Sequence, residues 1–425
     1  MVIGGVLSIV LGIVGYYCTG ELCLACCRNR RNDTRLNNIV EEGTRPVVNI
    51  PDYELIPRPT IVNHLKAIFQ PTKNQSRYYI IYGEHGTGKT TLIRLASREV
   101  GFGVVYVDVP PIVNYFGEAF GKAINFAFED VSLSNHLRRK LGSTNESDNP
   151  KWMRALKTFQ HAAEAYKIKY DRPMVIVYDN VSRLDPEIIC TLQNSAKDNA
   201  DSRTYIAVFV INESSVLKIM ENNSSYSRAF NEPIEIGDFT KEESIEYLVN
   251  KRKIKEAAAN NLYEFIGGRI VDLKLVADEF LNGKDLEVIK QAILRRTEKN
   301  LQSAHVCPKQ KYHKAACQII NSLLTTKKLK YKEYIQFFDN YEEAVEVLEK
   351  NVFAYHPEKN IVTFQSKSVE LYIKTEAEDF GVKLIDLTPA DEDDATTSNQ
   401  MDTIIQVEDP IIEESSHHHP SIHLI

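Results

Sequence analysis

Five short apolar runs punctuate the first half of the chain: Tyr78–Tyr82, Val104–Val109, Met174–Tyr178, Tyr205–Ile211 and Ile234–Ile236. Most lack alternation between apolar and polar positions, the pattern of strands buried on both faces. Between them lie stretches with apolar residues at helical spacing, notably Trp152–Lys169 and Pro186–Asn199. Strand–helix alternation of this kind predicts an α/β fold layered on a parallel sheet over residues 52–236. The polar segment Gly142–Pro150 reads as a surface insertion. Beyond Phe239 the strand pattern stops. Thr240-Lys-Glu-Glu243 has the form of a capping box, and helical patterning continues through residues 237–300.

Residues 301–385 read as three helices, then two strands within Val352–Gln365 around the turn His356–Asn360, then a further helix. That order looks like a winged-helix module. A chain of 425 residues has room for these units at roughly 100–200 residues per domain.

The first 27 residues pose a membrane question. Val2–Cys18 carries no charged side chain. Extended to Gly20 it would form a helix of about 28 Å, near the roughly 30 Å hydrocarbon thickness. No Lys or Arg precedes the run, which argues against a cleaved signal peptide and against a transit peptide. Arg28, Arg30, Arg31 and Arg35 follow it, so the positive-inside rule predicts a single-pass helix with the bulk of the chain on the cytosolic face. A mitochondrial inner membrane, with the bulk in the matrix, is the alternative. Gly4, Ser8 and Gly12 share one helix face and would permit close helix–helix approach, although glycine is simply common in membrane helices. Cys23, Cys26 and Cys27 sit where thiols are candidates for palmitoylation. Residues 28–51 form a polar linker.

Charge is unevenly spread. The chain's net charge is −7, yet the segment from Asp386 to Ile425 holds ten acidic residues and no Lys or Arg. Residues 386–425 are thus predicted to be an acidic disordered tail, and the remainder is close to neutral. Within the tail, Ile404–Asp409 has the make-up of a strand that could add to a partner's sheet edge. A strongly cationic nucleic-acid-binding body is not indicated. Lys327, Lys328, Lys330 and Lys332 could touch phosphates, but Glu333, Asp339, Glu342 and Glu343 dilute that patch, so nucleic acid ranks low among the partners. Scattered cysteines in a chain this long suit a reducing compartment.

The chemistry is concentrated in Gly83-Glu84-His85-Gly86-Thr87-Gly88-Lys89-Thr90, which fits G-x-x-x-x-G-K-[ST] and is followed by Thr91. It comes straight after an apolar run and opens a helical stretch, the context a P-loop requires. Glycines let the backbone N–H groups of such a loop converge on phosphates, and the helix N-terminus adds partial positive charge. Lys89 would reach the β- and γ-phosphates, and the Thr90 hydroxyl would ligate Mg²⁺. Asp179 ends the run Met174–Tyr178, at the strand edge where open α/β sheets bind ligands. It is the carboxylate on the Mg²⁺ side.

These two motifs resemble those of the AAA+ and STAND P-loop ATPases, particularly the archaeal-ATPase and origin-recognition-initiator branches, over about residues 52–378. The resemblance implies a three-layer P-loop sheet, a helical lid over 237–300, a winged helix over 301–385, ATP as substrate with Mg²⁺ as cofactor, and a homo-oligomer. It also implies roles for four further residues. Asn212, after the fourth apolar run, would orient the attacking water. Arg228, in Tyr-Ser-Arg-Ala-Phe, would serve as an arginine finger toward a neighbouring subunit, or be a surface ion-pair partner. Arg269, in Gly267-Gly268-Arg269 before Leu273, would be a second sensor in the lid. Arg58, in Pro57-Arg58-Pro59, would flank the adenine pocket.

One position departs from the family. A glutamate usually follows the aspartate of the second motif and polarises water; here the residue is Asn180. An amide can orient water but cannot accept its proton, and losing a general base typically costs about 10²–10⁴-fold in rate. Glu84 and Asp185 are the candidate substitutes. The expected function is a membrane-anchored ATPase that turns over slowly and acts as a switch or remodelling engine on a protein client. The rivals are a nucleotide-held scaffold without turnover and an initiator-like nucleic-acid binder.

Overall fold

A computed structural model describes residues 34, 36, 38–128, 149–230 and 232–382. The expected membrane segment with its cysteines and arginines, most of the 142–150 insertion and the acidic tail lie outside the described residues. No helix among the described residues is long and apolar enough to cross a membrane.

Strands β1 (Tyr79–Tyr82), β2 (Val104–Asp108), β3 (Met174–Asp179), β4 (Tyr205–Ile211) and β5 (Ile234–Glu235) form one parallel sheet in the order β2-β3-β4-β1-β5. Every residue of β3 and β4 is buried, as uninterrupted apolar runs require of strands covered on both faces. Register matters more than order for function. Tyr82 lies opposite both Ile211 and Glu235, and Asp108 lies opposite Asp179. The C-terminal strand ends are therefore nearly flush, and the polar residues at and just beyond them share one edge.

Helices cover both faces. On one side, α1 (Pro59–Phe69) and α2 (Lys89–Val100) send Leu65, Phe69, Leu92 and Ile93 into a core with Ile81, Val175 and Val208. On the other lie α3 (Phe116–Ala123), α4 (Lys151–Tyr170) and α5 (Pro186–Asp201). There Phe120 of α3 meets Phe159 of α4 and packs edge-on against Tyr178 of β3. Proline at the first position starts both α1 and α5, where its missing N–H costs nothing. A short helix α6 (Ser214–Asn222) leads toward β5.

A second core belongs to the helices that follow: α7 (Lys241–Glu246), α8 (Glu256–Ile266), α9 (Ile270–Leu281) and α10 (Leu286–Ser303). Leu248, Leu262, Leu273, Val276 and Ile289 pack together there. The capping box is present in full: Glu243 N donates to Thr240 Oγ1, and Thr240 N donates back to Glu243 Oε2.

The C-terminal module runs α11 (His313–Thr326), β6 (Leu329–Lys330), α12 (Tyr331–Ile335), α13 (Tyr341–Leu348), β7 (Phe353–His356), β8 (Ile361–Phe364) and α14 (Lys367–Thr375), with the antiparallel order β6-β8-β7. The helices and hairpin follow the order read from the sequence. Strand β6 does not appear in that reading, because two residues inside a lysine-rich stretch carry no periodicity; only Leu329 of the pair is buried. The module touches the sheet's functional edge, where His356 Nδ1 lies 2.6 Å from Glu235 Oε1.

Candidate nucleotide site

The loop Gly83–Gly88 leaves β1 and enters α2 at Lys89. Gly86 and Gly88 have φ of 83° and 89°, a conformation side chains resist, and a Cβ at Gly86 would lie 2.5 Å from the Val271 side chain. Glycine there is required by both backbone and neighbour. Lys89 is buried, and its Nζ donates to the Glu84 carbonyl at 2.7 Å. Burial pushes this ammonium down to about 8, against the opposing pull of Glu84 and Asp179. An ammonium so placed gains from an anion, because added negative charge restores what burial removes.

Asp179 faces the loop from the end of β3 with 1% exposure. Its Oδ1 accepts from Thr90 Oγ1 at 3.3 Å and from Asn180 N at 2.9 Å, and its Oδ2 accepts from Tyr106 Oη at 2.7 Å. Burial raises its carboxyl pKa, while the Tyr106 and Thr90 hydrogen bonds oppose that rise. Thr90 Oγ1 and Asp179 Oδ1 are hard oxygens set side by side, as neighbouring ligands of one Mg²⁺ at about 2.0–2.1 Å would be. No cluster of three or more His, Cys, Asp or Glu able to hold a metal occurs among the described residues. The adjacent Thr90 hydroxyl and Asp179 carboxylate fit an ion whose remaining ligands are phosphate oxygens and water.

Among the cavities that touch the loop, two share Gly86, Gly88 and Thr91. One, of about 190 Å³, is bordered by His85, Gly86, Gly88, Lys89, Thr90, Thr91, Asp179, Asn180 and Asn212. The other, of about 420 Å³, shares Gly86, Gly88 and Thr91 with it and extends to Ile50, Ile56, Arg58, Phe239, Tyr247 and Ile270. A polar chamber next to a more apolar one is the arrangement a nucleotide needs for its phosphates and base.

The structure sorts the predicted residues. Gly83 through Thr91, Asp179, Asn180 and Asn212 come together at one edge. Arg58 borders the larger cavity, but its guanidinium is consumed by Glu243, Gly237 O and Asp238 O and lies over the Phe239 ring. Held in this way, it forms part of the wall of that cavity. Arg269 is likewise heavily engaged, with all three nitrogens donating. Nε and Nη2 donate to Asp238, Nη1 to His85 O at 2.9 Å, and Nη2 also to Gln365 O at 3.0 Å. Arg269 therefore ties the loop to the lid and the C-terminal module. Arg228 belongs to none of this. Its carbonyl accepts from Tyr78 N, at the opposite end of β1 from the loop, and its side chain pairs with Asp201. It has no part in this chain's own site.

The two substitutes for the missing glutamate also fail. Glu84 Oε1 accepts from Tyr82 Oη and Oε2 from Gln365 Nε2, so both oxygens are engaged away from the phosphate chamber. Asp185 is exposed at the start of α5 and borders neither cavity. The sequence reading missed Tyr106, Asp108, Arg94, Asp238 and Gln365. Asp108 was findable: it is an acid set within the apolar run Val104–Val109, one residue from its end. Gln365 was not, because its role depends on a fold-back across 281 positions to Glu84.

Comparison with known proteins agrees with the motif. Residues 79–204 match the family described as ATPase family associated with various cellular activities (AAA). No curated protein matches the sequence. Among solved structures, Cdc6p from Pyrobaculum aerophilum aligns with 12% identity and a TM-score of 0.37, over 81% of this chain and 98% of that one. The ADP form of ORC2 from Aeropyrum pernix aligns with 12% identity and a TM-score of 0.41, over 83% and 99%. The RuvB Holliday junction branch migration motor of Thermotoga maritima aligns with 13% identity and a TM-score of 0.33, over 76% and 95%. What these comparisons give is a match of residues 79–204, the segment that holds the loop Gly83–Thr90, to the AAA family.

Proposed function

We propose that this protein is a membrane-anchored ATPase that binds ATP with Mg²⁺ and hydrolyses it slowly, using nucleotide state to reposition a winged-helix module. The observation that carries the reading is the convergence of Lys89, Thr90 and Asp179 on one polar chamber beside a more apolar one. Lys89 would exchange the Glu84 carbonyl for phosphate oxygens. Thr90 and Asp179 would hold Mg²⁺, which when bound neutralises phosphate charge. Asn212, at the end of β4, and Asn180 would face the attacking water.

Coupling would run through Arg269. It holds the carbonyls of His85 in the loop and Gln365 in the module at once, so movement of the loop on binding phosphate changes a bond to the module. Anchoring rests on the uncharged Val2–Cys18 run and the arginines after it, with the ATPase on the cytosolic face. An oligomer in which Arg228 reaches a neighbour's γ-phosphate would require release of Asp201. The client is a protein that the moving module meets.

A second reading, a nucleotide-held scaffold, is favoured by Asn180. Following ATP binding and phosphate release together on the full chain separates the two. Release that continues at steady state and disappears in Lys89→Ala supports turnover; tight binding without release supports the scaffold. Flotation with lipid vesicles tests the anchor: deletion of residues 2–20 should leave the protein in the soluble fraction, and continued flotation would refute it.

A further inference from the structure

Asn180 stands where a general base is expected, and its side-chain orientation is fixed by a neighbour. Its Nδ2 donates to Asp108 Oδ1 at 2.9 Å. A carboxylate only accepts, so the amide nitrogen must face Asp108 and the amide oxygen must face away from it. Asn180 borders the chamber shared with Lys89, Thr90 and Asp179, whereas Asp108 does not.

Asp108 is itself held from behind. Its Oδ2 accepts from Arg94 Nη2 at 2.7 Å; Arg94 Nε donates to Tyr106 Oη at 2.8 Å; Tyr106 Oη donates to Asp179 Oδ2 at 2.7 Å. Asp179 Oδ1 then accepts from Asn180 N, which closes a ring of five residues. Three elements supply it: α2 gives Arg94, β2 gives Tyr106 and Asp108, and β3 leads into Asp179 and Asn180. The parallel register that sets Asp108 opposite Asp179 makes the closure possible. Asn180 has φ of 63°, a left-handed conformation that Asn and Asp tolerate far better than Glu. The backbone at this position thus selects a short polar side chain, and Asp108 decides which way it points.

We propose that Asp108 is a positioning residue for ATP hydrolysis, fixing the Asn180 amide so that its oxygen accepts a hydrogen bond from the attacking water. The inference rests on the reading of this site as an ATPase. In the step it describes, the water oxygen bonds to the γ-phosphorus, and the bond to the β–γ bridging oxygen breaks with its electron pair going to ADP. Asn180 accepts a hydrogen bond but no proton, so the water's proton leaves on the inorganic phosphate.

The test is a double-mutant cycle on the full chain, measuring single-turnover rate and ATP affinity separately. Asp108→Asn lets the amide at 180 flip, and should slow turnover by about tenfold with ATP affinity unchanged, since small losses of alignment cost up to about 10²-fold. In the Asn180→Ala background the same change should cost nothing further. The reciprocal swap, Asp108→Asn with Asn180→Asp, restores a donor–acceptor pair and sets a carboxylate at the water; it should turn over faster than the Asp108→Asn single variant. Equal losses in both backgrounds, no loss in either, or a swap no faster than the single variant would overturn the inference. So would a wild-type chain that binds ATP without turning it over. A wild-type chain that does not bind ATP, or turnover that survives Lys89→Ala, would instead sink the underlying ATPase reading.

Discussion

The two sides of the phosphate loop are built differently. Its inner side, formed by Lys89, Thr90 and the facing Asp179, is made by residues at strand ends and the first turn of one helix. Each is placed by its own element. Its outer side is made by long-range clamps. Glu84 and His85 are held by Gln365 and Arg269, which come from the C-terminal module and the start of α9. Inner residues face a chamber, where Lys89 has something to gain from an anion and Thr90 and Asp179 from a cation. Outer residues are spent on one another, with every Arg269 nitrogen already donating. The inner side is therefore suited to chemistry and the outer side to coupling, and substitutions on each should have separable consequences.

The largest separation is expected from Asp179→Asn. Removing the carboxylate on the Mg²⁺ side should lower turnover by about 10²–10³-fold, the range seen for loss of one preorganised electrostatic partner. Multiple-turnover phosphate release checks it, and a loss below tenfold would put the metal elsewhere. Next comes Lys89→Ala, which should weaken ATP binding about 10–100-fold, as loss of a charged hydrogen bond does; equilibrium dialysis reads it directly.

On the outer side the effect should move from chemistry to stability. Arg269→Ala strands Asp238, but that carboxylate is 32% exposed, so water recovers part of the loss. About 2 kcal/mol is expected, below the usual cost of breaking a fully buried pair. Denaturant melts check it, and a large loss of ATP affinity without a stability change would return Arg269 to a direct role. Gln365→Ala should cost less, about 1 kcal/mol. It removes one side-chain hydrogen bond to Glu84, and its Oε1 has no partner to lose. Its diagnostic readout is faster proteolysis between α10 and the module. Arg228→Ala should be the smallest, under about 1 kcal/mol for an exposed pair, with ATP affinity unchanged.

The same division explains what could be read from sequence. Strands β3 and β4, the loop and Asp179 were legible because burial on both faces writes an unbroken apolar run, and a phosphate loop writes its glycines at fixed spacing. The capping box at Thr240 was legible for the same reason: its partners are three residues apart. What failed was tertiary. The carboxylates and carbonyls that take up Arg58 and Arg269 come from His85, Gly237, Asp238, Glu243 and Gln365, and no local pattern announces those meetings. Arg228, read as a finger toward a neighbouring subunit or as a surface ion-pair partner, lies at the far end of β1 and pairs with Asp201. The ring through Asp108 lies between these extremes. Its strand end was visible, and its partnership with Asn180 required the register of β2 against β3.

Calorimetric titration of ATP with Mg²⁺ into the full wild-type chain and into Lys89→Ala tests the central claim most directly. The account predicts one saturable site in the wild type and a loss of at least about tenfold in affinity in the variant, with circular dichroism unchanged. A folded wild-type chain that takes up no ATP, or a Lys89→Ala variant that binds as tightly as the wild type, would contradict it.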